Sequence, residues 1–176
     1  MNDIKRLVIL IAIFFSIQSC TNHQESKERE LNKKDIEEPL LKANKQAMIT
    51  EDEQIENYIN RHQWKMNKTG SGLRYAIYIK GIGPKAETGK IAKINYTVQL
   101  ISGEEIYSSK NDGIKEFLIG KGGVESGLEE GILLLRVGDH AKFVIPSHLG
   151  FGLIGDQNKV PPKSTLIYDI ELLDLK

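Results

Sequence analysis

From Leu73 onward, apolar and polar residues alternate with a period of two, the mark of strands that bury one face. Leu73, Tyr75, Ile77 and Ile79 alternate with Arg74, Ala76 and Tyr78. The cleanest run sets Ala92, Ile94, Tyr96, Val98 and Leu100 on one side, with Lys93, Asn95, Thr97 and Gln99 on the other. Ser102-Gly103 supplies a turn, and Glu105 to Ser108 starts the returning strand. Phe117 to Ile119 reads as a further short strand. Ala141, Phe143 and Ile145 alternate up to Pro146, and Leu166, Tyr168, Ile170 and Leu172 alternate near the end. Two stretches break this period. Val124, Leu128 and Ile132 or Leu135 recur at helical spacing, which predicts one short helix over 125–133. Ile55, Tyr58, Ile59 and His62 do the same upstream, with Thr50 as cap and Glu51, Asp52 and Glu53 in the first turn, where the helix dipole favours negative charge. That stripe packs either on the domain or on a second copy of the chain. Many strands and one short helix imply an α+β fold, a curved antiparallel β-sheet wrapped over the helix and preceded by a helical, charged N-terminal extension.

Thr69-Gly70-Ser71-Gly72 separates the two patterns, so the chain divides into an amphipathic helix over 51–68 and a sheet domain over 69–176. Residues 20–50 are rich in Glu, Lys, Asn and Gln, too polar to fold alone, and read as a charged tether. The tether is expected to be partly helical around Lys42 to Met48, with Pro39 interrupting any longer helix. Lys and Arg number 24 and Asp and Glu number 24, so no global charge draws the chain to nucleic acid, and no basic patch with interleaved aromatics appears. Gly120-Lys121-Gly122-Gly123 lacks the spacing of a phosphate-cradling loop, so nucleotide binding is not expected. His62 has no His or Cys partner placed for a metal site, and neither a metal nor a cofactor is expected. Glu129 and Glu130 read as a solvated helix face, since no Ser or His stands ready to work with them.

The first 19 residues read as a targeting signal. Lys5 and Arg6 precede a greasy run from Leu7 to Ile17, shorter than the ~20 residues that span a bilayer. Ser19 then precedes Cys20, the single cysteine of the chain. This arrangement resembles a bacterial lipobox, which implies cleavage before Cys20 and lipid on its thiol; the other reading is a plain secretory signal beside an incidental cysteine. Under the first reading several acyl chains give firm attachment, where one chain alone binds marginally. Thr21 after the cysteine implies the outer membrane, facing the periplasm.

One ordered series of motifs covers residues 69–175. It comprises Thr69-Gly70-Ser71-Gly72-Leu73-Arg74-Tyr75, Ile94 to Leu100, Phe117-Leu118-Ile119-Gly120, Val124-Glu125-Ser126-Gly127-Leu128-Glu129-Glu130-Gly131, Arg136-Val137-Gly138-Asp139, and the close from Val160-Pro161-Pro162 to Leu173. The series resembles the FKBP-type peptidyl-prolyl cis-trans isomerase domain. With the signal and tether, the chain is most similar to the gliding-motility-associated peptidyl-prolyl isomerase lipoproteins. The resemblance implies an FKBP-like fold and a groove for Pro-containing segments of envelope proteins.

It also implies the site. Tyr96, Phe117, Phe151 and Tyr168 would be walls, Val124 and Leu128 the floor, and Ile106 one side, with Tyr107 beside it and Val160 at the end of a flap over 147–162. Glu125 stands where a backbone N–H meets a ligand carbonyl, and its side chain is expected to point outward. Each of these residues, taken singly, could equally be core packing. Several depart from the family pattern. Phe151 replaces a tyrosine whose hydroxyl bonds the ligand, Tyr107 an aspartate, Leu128 a tryptophan, and Lys115 an aromatic. The departures imply reduced turnover, and they keep open a second reading, a proline-binding chaperone or assembly module with little catalysis.

Overall fold

The computed structural model describes residues 33–176. The signal over 1–19, Cys20 and the first part of the tether lie outside the described residues. Residues 40–176 form one compact unit. Helix α1 spans Lys33–Arg61, so it starts well upstream of the expected cap. Thr50 lies inside it, its hydroxyl donating to the Gln46 carbonyl at 3.0 Å, and this back-bonding is what Thr does in a helix interior instead of capping. Pro39 also lies inside, where it removes one N–H from the ladder without ending the helix. No described helix is long and apolar enough to cross a membrane.

Seven strands form one antiparallel sheet in the order β1-β2-β6-β7-β3-β4, with β5 also paired to β3. They are β1 (Asn67–Lys68), β2 (Arg74–Ile79), β3 (Ile91–Leu100), β4 (Glu105–Ser108), β5 (Lys115–Leu118), β6 (His140–Ile145) and β7 (Leu166–Leu175). A single turn of helix, α2 (Ser109–Asp112), follows β4, and α3 (Ser126–Ile132) precedes β6. The main core lies between α3 and one face of the sheet, where Leu128 and Ile132 meet Ile94, Phe143, Ile145 and Leu172. Gly131 is needed here because a Cβ at that position would overlap the Phe143 ring.

The other face is covered too. Ile55, Tyr58 and Ile59 of α1 pack on Val144 of β6 and Ile167 of β7, so the apolar stripe docks on its own domain. Covering both faces breaks the simple alternation expected for β2. Arg74 is only 2% exposed although it stood on the polar side, while Ile79 is exposed at the strand's end. The Arg74 guanidinium donates to Glu56 Oε1 from Nε at 3.1 Å and from Nη2 at 2.8 Å, to the Gly72 carbonyl at 2.6 Å, and to Asp52. The Arg74 hydrogen bond holds the Asp52 carboxyl below its ordinary value of 3.8, against the opposing push of burial. Glu51, also on α1, accepts from the Ser147 N–H and hydroxyl at 2.7 and 2.8 Å and from the Thr165 hydroxyl at 2.7 Å. Ser147 opens the flap and Thr165 stands just past its end, so one carboxylate pins the chain on both sides of it.

Candidate active site

Strand register builds the back wall of the site. Val98 of β3 stands opposite Tyr107 of β4 on one side and Tyr168 of β7 on the other. Directly opposed residues of antiparallel strands point to the same face, so the three form a row, with Tyr96 two residues along β3 beside it. From the flap, Phe151 and Asp156 close the opposite side, and Glu125 enters at the start of α3. Lys115 of β5 and Asp112 of α2 complete the rim. Together these groups line a hollow of about 340 Å³. A wider cleft of about 720 Å³, on the outer side of β3 and β7, is lined mostly by polar side chains such as Asn95, His140 and Glu171.

The structure thus gathers Tyr96, Tyr107, Glu125, Phe151 and Tyr168 around one hollow. Ile106, Phe117, Leu128 and Val160 belong to the apolar cluster behind it and are buried, Leu128 with 0% exposure; Val124 packs half-buried against the same cluster. These five hold the walls in place and do not line the hollow themselves. A large side chain with no free surface is core packing first.

One expectation is overturned. The Glu125 side chain does not point outward. Glu125 is 9% exposed, and its Oε1 accepts the Tyr168 hydroxyl at 2.8 Å. The cause lies at the helix start, where Glu125 takes φ −58° and ψ 139° and makes no side-chain cap, leaving the side chain to turn toward β7. Its own carbonyl accepts the N–H groups of Leu128 and Glu129, whereas its N–H meets no acceptor among the described residues.

Two acidic groups in the lining, Asp112 and Asp156, were not foreseen as part of it, whereas Glu125 and Lys115 were. Lys115 Nζ sits 5.6 Å from the centre of the Tyr96 ring, a cation–π contact. Asp156 knits the flap. Its Oδ1 accepts the N–H groups of Val160 at 2.7 Å and Asn158 at 2.9 Å, and the Tyr107 hydroxyl donates to Oδ2. Gly155 allows this turn, with φ +69° and a Cβ position that would collide with the Val160 carbonyl. Tyr107 therefore joins the wall to the flap. The Asx pattern Asp156-x-Asn158-x-Val160 was the available signal for the knot; nothing in the sequence marked its tie to Tyr107.

The hydroxyls here keep their protons at neutral pH. Burial pushes Tyr168 well above the usual tyrosine value, and the Glu125 carboxyl adds to the effect. Burial also raises Tyr96, helped by Asp112 and Glu125, and raises Tyr107, helped by Asp156. Burial opposes ionisation of Asp156, yet the hydrogen bonds from Tyr107 and from the Val160 and Asn158 N–H groups keep its carboxyl below the ordinary value. Among the described residues no three His, Cys, Asp or Glu side chains cluster as a metal site. What the hollow offers is a ring-lined space beside the Glu125 N–H.

A family model described as FKBP-type peptidyl-prolyl cis-trans isomerase matches residues 83–173, a span that contains every residue lining the hollow. FK506-binding protein 2 of Dictyostelium discoideum is 40% identical over 92 residues, 52% of this chain and 69% of that protein. The FKBP-type peptidyl-prolyl cis-trans isomerase FkpA of Aeromonas hydrophila is 31% identical over 162 residues, 91% of this chain. The chain spans only 57% of that relative's length. The crystal structure of FkpA from Escherichia coli superposes with a TM-score of 0.65 at 27% identity, covering 98% of this chain and 81% of that one.

Proposed function

Because the chain belongs to the FKBP-type peptidyl-prolyl cis-trans isomerase family, we propose that its hollow accelerates rotation about X-Pro bonds in Pro-containing protein segments. The observation that carries this is the ring-lined hollow with the unpartnered Glu125 N–H at its edge. Rotation about a peptide bond meets a barrier of ~18–20 kcal/mol because resonance makes the C–N bond partly double. In X-Pro the two isomers lie close in energy, but their exchange takes tens to hundreds of seconds. Twisting the bond to the perpendicular removes the resonance and with it much of the amide dipole. Water favours the planar, more dipolar form; Tyr96, Val98, Phe151 and Tyr168 replace that water with apolar surface. Stabilisation that acts on the twisted form more than on the planar one raises the rate tenfold for every ~1.4 kcal/mol. The Glu125 N–H would hold the carbonyl of the segment, and the prolyl ring would sit against the row Tyr107, Val98 and Tyr168. Neither a nucleophile nor a proton transfer enters the scheme.

The test is a protease-free exchange measurement on a prolyl tetrapeptide with the full chain. Accelerated cis/trans exchange supports the reading. Unchanged exchange at high protein concentration overturns it.

We propose further that Cys20 carries lipid and holds the domain at the outer membrane, facing the periplasm, where its clients are envelope proteins. The greasy run before Cys20 supports this reading, and loss of membrane association on Cys20→Ser tests it. The likeness to gliding-motility lipoproteins makes motility proteins the clients to examine first, by crosslinking in the envelope.

A second reading is a chaperone or assembly module that binds prolyl segments with little turnover. The tie from Tyr107 to Asp156 favours it, because it joins the flap to the wall. Restoring an acid and an indole with Tyr107→Asp and Leu128→Trp discriminates. A large gain in rate with unchanged cellular function favours binding, while cellular function that tracks rate in variants of the hollow favours catalysis.

A further inference from the structure

Glu125 is the one side chain in the hollow with an unmet need. It is 9% exposed, and while Oε1 accepts the Tyr168 hydroxyl, Oε2 is fully buried and has no partner among the described residues. The other carboxyls of the hollow are answered. Asp156 accepts Tyr107 and two backbone N–H groups, and Asp112 accepts the Ser108 N–H at 3.0 Å. The nearby cations are engaged elsewhere. Lys115 Nζ lies over the Tyr96 ring, and Lys159 Nζ donates to the Ile106 carbonyl at 3.0 Å and lies 4.9 Å from the Tyr107 ring centre. Neither forms an ion pair with Glu125.

A buried acceptor without a donor destabilises the empty hollow, and a ligand that brings the donor removes that penalty. A cation does so best. Charge-assisted hydrogen bonds are about twice as strong as neutral ones, and three carboxyls face a single ammonium in the lining. The burial of Glu125 strengthens its share of that attraction. An apolar neighbour would leave Oε2 unmet, and an acidic one would be repelled. Oε2 has no free surface in the empty hollow, so an arriving donor must turn the carboxyl toward it, which the broad last torsion of a glutamate allows.

We propose that Glu125 is a specificity-determining residue, held in place by Tyr168, that selects prolyl segments carrying Lys or Arg next to the proline. The inference rests on the hollow being the prolyl site, and it names the class of segment that site prefers.

The experiment uses the full chain and two series of prolyl tetrapeptides, with Lys, Leu or Glu placed before or after the proline. Binding is read from chemical-shift titration and isomerisation from exchange spectroscopy on the same samples. In at least one series Lys is expected to exceed Leu by about tenfold, with Glu lowest. Glu125→Gln keeps the shape and an acceptor for Tyr168 and should bring Lys and Leu close to parity; Glu125→Leu checks that result with an apolar side chain. Equal treatment of Lys and Leu in both series overturns the proposal. So does a Lys preference that survives Glu125→Gln and disappears in Asp112→Asn. Isomerisation without ranking sinks the specificity alone. Ranked binding without isomerisation leaves the specificity and sinks the catalytic reading. Absence of both binding and isomerisation sinks both.

Discussion

The sheet has two faces, and each buries a charged side chain. On the face covered by α1, Arg74 is 2% exposed and meets two carboxylates and a carbonyl. On the concave face, Glu125 is 9% exposed and meets one hydroxyl, leaving an oxygen unanswered. Arg74 holds the helix to β2, and its partners Asp52 and Glu56 keep nearly half their surface in water, which limits the desolvation they suffer. The Glu125 side chain joins no second element beyond β7, and it stands at the lining of the hollow with one buried oxygen unmatched. A buried charge with every bond made is a structural rivet. One left half-satisfied beside a cavity is placed for something that arrives.

Breaking the rivet should cost most. Arg74→Ala is expected to lower stability by about 3 kcal/mol, from lost packing of a fully buried stem and lost charge-assisted bonds, read as a lower urea midpoint with the slope unchanged. The ranking of prolyl ligands should not move. If that ranking shifts along with stability, the two faces are coupled and the contrast drawn here fails.

Tyr168→Phe attacks the other face. It takes the only donor from a buried carboxyl, with an expected cost of about 1–3 kcal/mol by the same measurement. Adding Glu125→Leu to Tyr168→Phe should restore most of the loss, to within about 1 kcal/mol of the natural chain, because both polar partners then leave together. A double variant weaker than Tyr168→Phe alone would show that Glu125 carries structural weight after all.

The smallest effect is one of pH. Arg74 depresses the Asp52 carboxyl below 3.8 in the folded chain. A depressed folded value stabilises the fold above the unfolded value and stops doing so as pH falls through the folded one. The stability deficit of Arg74→Ala should therefore shrink on acidification below about pH 4. A deficit that stays constant across that range would remove Asp52 from the account.

Much of this was legible in the chain. The alternation from Ala92 to Leu100 placed β3 correctly, because one face of that strand is truly core, and the spacing of Val124, Leu128 and Ile132 placed α3. Of the rings assigned to the walls of one hollow, Tyr96, Phe151 and Tyr168 meet there, while Phe117 lies in the core cluster behind them. What escaped has physical causes. Period two presumes one wet face, so Arg74 looked exposed until α1 was seen to cover it. A cap at Thr50 looked sound because Thr, Glu, Asp and Glu make a good helix start, but α1 had already begun at Lys33. The inward turn of Glu125 depends on a single backbone torsion before α3, and no periodicity encodes it. The knot of Tyr107 and Asp156 joins residues far apart in sequence through one hydroxyl.

The measurement that bears most directly on the central claim is exchange spectroscopy of one prolyl tetrapeptide with the full chain and with Phe151→Ala. The expected result is rapid cis/trans exchange with the natural chain and roughly tenfold less with Phe151→Ala, whose ring closes the hollow against water from a half-buried position. Exchange that no concentration of the natural chain accelerates, or that Phe151→Ala leaves untouched, would contradict the account.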